Sequence, residues 1–133
     1  MIKEFIAAFE THRAELEAGL RAAHPEDYTD LVRRVVSILP PDEKHDRPDS
    51  TRIHKIDDGD YQGTLVFVIG AAGYQPSTYW SVMISYGSCS GCDTFERIKE
   101  YSYDLPTDEQ VKDYMTLMLH IVQRLTRLHN DLV

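Results

Sequence analysis

A chain of 133 residues with 42% hydrophobic content is long enough to close one core without disulfide staples, and two cysteines are too few for a secreted disulfide framework. A formal net charge of −8 argues against non-specific nucleic-acid binding, which needs an excess of Lys and Arg to displace counterions from phosphates. An apolar run such as residues 65–69 is far short of a membrane span, and Met1 to Phe5 carry an early acid with no apolar signal core, so the expectation is a single cytoplasmic domain over residues 1–133.

Ile2, Phe5, Phe9, His12, Leu16 and Leu20 recur at three- and four-residue spacing and predict one helix ending before His24-Pro25. Asp27 or Thr29 can cap a second helix through Leu31, Val32, Val35, Val36 and Leu39, stopped by Pro40-Pro41. Residues 40–50 are Pro-rich and charged, with nothing to anchor a core, and read as an exposed loop. The period then changes. Residues 52–56 suit a short strand, Asp58-Gly59 a turn, and residues 61–69 and 79–86 two strong strands around a Gly/Pro-containing connection. Asp93 to Glu96 has capping-box spacing, and Phe95, Ile98 and Tyr101 follow at helical intervals. Thr107 with Gln110 gives a second capping box, after which Val111, Tyr114, Met118, Ile121, Leu125, Leu128 and Leu132 extend one stripe almost to Val133. Met115, Leu117, Leu119 and Val122 widen that surface, which suits a homodimer contact through this helix. The predicted fold is α+β: two N-terminal helices, a small antiparallel meander, a short helix after the cysteine-containing segment and a long C-terminal helix over one sheet face.

Both cysteines fall in Tyr86-Gly87-Ser88-Cys89-Ser90-Gly91-Cys92-Asp93, the densest special chemistry in the chain. A hairpin about residues 70–77 places Gln62 near Tyr86 and Asp60 near Ser88, to within about two residues. Asp60, Tyr61, Gln62 and Gly63 then share one sheet end with Tyr86, Gly87, Ser88, Cys89, Ser90, Gly91, Cys92 and Asp93, and these twelve are the candidate ligand-binding residues. Each has an ordinary structural role as well: Asp58-Gly59-Asp60 as a turn, the glycines as suppliers of unusual dihedrals, the cysteines as small buried hydrophobes. The joint density at one sheet end tips the reading toward a site. The pair of motifs, Asp60-Tyr61-Gln62-Gly63 followed on the next strand by Tyr86 to Asp93, resembles a pattern shared by small uncharacterised proteins of bacteriophages and bacteria. That resemblance covers about the middle third of the chain. It implies a cytoplasmic protein that a phage can encode, and it carries neither an activity nor catalytic residues with it.

Several chemistries compete for the loop. A Gly/Ser-rich turn running into a capped helix presents N–H groups and hydroxyls to a ligand or a protein partner, although no P-loop lysine follows and Asp93 opposes an anion. The Cys89/Cys92 spacing allows a disulfide, and a position before a helix N-terminus favours a thiolate, as in a redox switch. The same pair supplies two zinc ligands at knuckle spacing, with His54, His120 or a second chain's cysteines as the remainder. A hydrolase is unsupported, since Ser88 and Ser90 lack a sequence-evident histidine base with an orienting acid. The sequence thus predicts a binding or interaction protein, more readily than an enzyme, with no cofactor. The alternative is a dithiol switch or zinc-binding protein using Cys89 and Cys92.

Overall fold

The computed structural model describes residues 1–57, 59, 63–73, 78–86, 94–99 and 104–128. Among these the chain forms α1 (Ile2–Thr11), α2 (Arg13–Ala22), α3 (Tyr28–Val36), β1 (Pro48–Asp57), β2 (Gly63–Ala71), β3 (Tyr79–Tyr86), α4 (Thr94–Lys99), α5 (Asp108–Arg124) and β4 (Thr126–Leu128). The strands lie in the spatial order β1-β2-β3-β4, all antiparallel. This is the expected α+β meander with a long helix near its end.

Alternation along the strands creates the two faces. Leu65, Phe67 and Ile69 of β2 and Trp80, Val82 and Ile84 of β3 are buried on the face the helices cover, while Met83 on the opposite face is 61% exposed. Helices α3 and α5 close the covered face with Leu31, Val32, Val35, Tyr114, Met118 and Ile121. Trp80 is fully buried, and its indole N–H donates to the Met1 sulfur at 3.2 Å. No described helix is long and apolar enough to cross a membrane.

Three expectations need correction. The N-terminal stripe is right in its buried members Phe5, Phe9, Leu16 and Leu20, but the helix is bent at His12 (φ −98°, ψ 11°) into α1 and α2. Hydrogen bonding continues through the bend, His12 N–H to the Ala8 carbonyl and Leu16 N–H to the His12 carbonyl. Thr11 Oγ1 donates back to the Ala7 carbonyl at 3.0 Å, a contact that bends helices.

The stretch at residues 40–50 is not simply an exposed loop. Pro48 to Ser50 already belong to β1, and the Asp42 side chain is fully buried. Its Oδ1 accepts the N–H groups of Lys44 and Asp46, and its Oδ2 accepts from Arg127. Arg127 also donates to Asp46 at 3.0 Å and to the Thr78 hydroxyl at 3.3 Å. That grip explains the third correction, because the last helix stops at Arg124 although Leu125 and Leu128 continue its spacing. Leu125 turns extended (φ −64°, ψ 129°), Thr126 to Leu128 pair with Ser81 to Tyr79, and Leu132 lies outside the described residues.

The last helix is broad. Met115, Leu117 and Val122 are buried within this chain, and α1, α2, α3 and α4 all pack on α5. Those contacts account for the buried part of that breadth, and Leu119 stays partly exposed. The capping predictions agree with the structure: Asp27 accepts the Asp30 N–H, and Thr107 with Gln110 forms a reciprocal box.

Candidate functional site

Gly63 opens β2 directly opposite Tyr86, the last residue of β3. The register is therefore one residue from the expected Gln62–Tyr86 juxtaposition. Asp60, Tyr61 and Gln62, and Gly87, Ser88, Cys89, Ser90, Gly91, Cys92 and Asp93, lie outside the described residues. Both segments are nevertheless joined covalently to this one strand pair, so the chain enters β2 and leaves β3 at the same sheet end. The second segment leads on into α4 at Thr94.

Short as it is, α4 is fixed by strong anchors. Its Phe95 N–H donates to the Tyr28 hydroxyl at 3.1 Å, tying it to the first turn of α3. The Phe95 ring packs between Tyr28 and Tyr114, with centroids at 5.2 and 5.9 Å. The Gln110 side-chain amide donates to the Ile98 carbonyl at 2.9 Å, so α4 runs along the N-terminal half of α5. Two hollows result. One, of about 180 Å³, lies among Glu26, Asp27, Tyr28, Lys55, Asp57, Leu65, Phe95 and Glu96; the other, of about 810 Å³, lies between α4 and the polar side of α5. Thr94, the residue after the predicted site, lines the larger one.

Behind Phe95 sits a buried polar pair that sequence reasoning missed. Tyr114 is fully buried and its hydroxyl lies 2.8 Å from His24 Nδ1. Among the described residues, His24 Nε2 and Arg34 Nη1 are buried without a hydrogen-bond partner, although Arg34 is tied to Asp30 through Nε and Nη2. Burial, reinforced by the negative charge of Glu96 and opposed by Arg34, pushes the Tyr114 phenol up to about 12. At neutral pH this hydroxyl is a hydrogen-bonding group and not a base. His24 and Tyr114 are 90 residues apart, and nothing in their local spacing signals the contact.

The raised phenol has a measurable consequence. A tyrosine that ionises at about 10 when unfolded but about 12 when folded leaves stability untouched below pH 10 and removes it as pH rises from 10 to 12. We expect the wild-type chain to lose about 2–3 kcal/mol more than Tyr114→Phe across that interval, read by urea unfolding at each pH. Parallel losses in the two proteins would show that Tyr114 is not the group responsible.

The histidines weighed as zinc ligands are distributed differently. His54 lies exposed on β1 opposite Val68, and His120 is exposed at the large cleft. Among the described residues no three His, Cys, Asp or Glu side chains are grouped to hold a metal ion, and Cys89 and Cys92 are not among those residues. No protein-family model, no curated protein and no solved structure matches the chain.

Proposed function

We propose that this chain is a small cytoplasmic binding or interaction protein, of the kind a phage encodes, that takes its ligand or protein partner at the sheet end joined to Gly63 and Tyr86. The carrying observation is the antiparallel pairing of those two residues, from which the polar residues Asp60 to Gln62 and the Gly/Ser/Cys segment both depart. The smaller hollow beside α4, lined by Asp57 and Leu65 near that end, supports a binding role. The absence from the sequence of a complete nucleophile, base and orienting acid favours binding over catalysis.

The test begins with capture of partners on the immobilised chain and native mass spectrometry of what the purified protein retains. Gln62→Ala and Ser88→Ala are each expected to weaken the captured interaction about tenfold, the size of one lost hydrogen bond in a site. Their melting temperatures should stay close to wild type. Variants that unfold while their residual folded fraction binds normally would make the cluster structural. Reproducible turnover of a retained metabolite, abolished by one of these changes, would replace the binding reading with an enzymatic one.

A further inference from the structure

Three large apolar side chains exposed to solvent, Ile56, Met83 and Leu128, lie on one surface, the sheet face that the helices leave uncovered. Directly paired residues point to the same side of a sheet, so the pairing sets out the rows. Ile56, Val66 and Met83 form one row, and His54, Val68, Ser81 and Thr126 the next. Gly70, Tyr79 and Leu128 form a third, with the Arg52 Cβ 3.4 Å from the place a Cβ of Gly70 would take. Charge sets this face apart. The chain carries 22 Asp and Glu and a formal net charge of −8, yet none of these row residues is a carboxylate, and Arg52 is matched by Asp49 at 3.5 Å while donating to the Ala71 carbonyl at 2.8 Å.

A basic partner finds no carboxylate on these rows, and an anionic one no unpaired lysine or arginine. A second copy brings the same neutral rows, whereas elsewhere two acidic surfaces repel. The rows also match themselves. With the sheets aligned to within about 30°, a two-fold axis lying across the strands over the Val68–Ser81 row sets Tyr79 against the partner's Met83 and the side-chain-free Gly70 against the partner's Val66. The Arg52 stem likewise meets the partner's Ile56. Strands about 4.8 Å apart and rows about 6.7 Å apart give roughly 400 Å² of face per copy, about half of what a standard interface takes from each partner. Such an area suits a weak dimer, one that forms only above about 10 µM chain.

We infer that the uncovered sheet face joins two copies of the chain face to face in a weak two-fold dimer. This self-association goes beyond the partner proposed at the sheet end, and the two fail separately, because it is read on the chain alone with no ligand or partner present. It also differs from the helix contact suggested by the breadth of α5, whose Met115, Leu117 and Val122 are buried in the protomer.

Sedimentation velocity of the full chain decides it. Between about 10 µM and about 1 mM the weight-average sedimentation coefficient is expected to rise from the monomer value toward that of a dimer. Met83→Lys and Ile56→Lys, each setting a charge against an apolar row, should weaken association about tenfold or more. Leu105→Lys, at an exposed apolar residue outside the sheet, should leave it unchanged. All three positions are exposed, and far-UV circular dichroism checks that the variants fold. A chain that stays monomeric at about 1 mM overturns the inference, as does a dimer that both sheet lysines leave intact or that Leu105→Lys abolishes.

Discussion

Asp42→Ala is expected to lower the unfolding free energy by about 3–5 kcal/mol, the usual cost of removing one partner from a buried ion pair. The carboxylate is fully buried and meets two backbone N–H groups as well as the Arg127 guanidinium. Its loss leaves those donors unsatisfied and Arg127, 20% exposed, dependent on Asp46 and Thr78. Domains of this size have about 5–15 kcal/mol in hand, so the urea midpoint of the variant should fall well below that of the wild type. An Asp42→Ala/Arg127→Met double variant should recover part of the loss, because it removes the uncompensated charge as well. If the single variant unfolds at the wild-type urea midpoint, the cluster is not what holds β4 to the 40–47 segment.

Phe67→Ala should cost a comparable 3–5 kcal/mol by a different route. Phe67 is fully buried at the centre of β2, opposite Val82 and flanked on the covered face by Leu65 and Ile69. Helices stand on that face and a strand lies on either side, so the walls around a vacated ring can collapse only in part. Trp80, the one tryptophan of the chain, is fully buried two residues from Val82 and supplies the fluorescence signal for unfolding. A loss below about 1.5 kcal/mol would mean that the sheet and helices close over the gap more freely than close packing allows.

The fold was legible wherever a local rule and the tertiary structure agreed. The apolar runs within residues 61–69 and 79–86, folded about the connection at 70–77, gave two paired strands and a hairpin register within one residue of the observed Gly63–Tyr86 pair. Thr107 and Gln110 marked the start of α5. Periodicity failed where a polar contact competes with it. The spacing of Leu125 and Leu128 is helical, but pairing with β3 and the Arg127 carboxylates takes that stretch into the sheet. His12 sits in phase with the apolar stripe, yet the bend falls there beside a threonine bonded back to the preceding turn. Asp42 was hidden for a plainer reason. In a run of charged residues nothing marks the one whose partner lies 85 positions downstream.

The candidate site was legible to a different degree. Hairpin topology was enough to bring its two halves to one strand pair, because the position of the connection fixes which residues face each other. The neighbours of α4 were not, since Tyr28 and Tyr114 reach it from two distant parts of the chain. His120 reads as a solvated residue on a polar flank when α5 is considered alone. Only the placement of α4 beside it makes that flank the wall of a cleft.

The grip of Arg127 on residues 85 and 81 positions earlier also sets an order of events during synthesis. While the ribosome is still making α5, Asp42 and Asp46 have already emerged and have no guanidinium to meet, so the 40–47 segment cannot yet take its native form. The β1–β2–β3 hairpins can form early, because their pairings are close in sequence. Closure of the outer strand and burial of Asp42 must wait for Arg127 and then bear the entropy of a long loop. Until Arg127 arrives, the outer edge of β3 stays open and two carboxylates stay in water, and their closure follows the hairpins as a later, cooperative step.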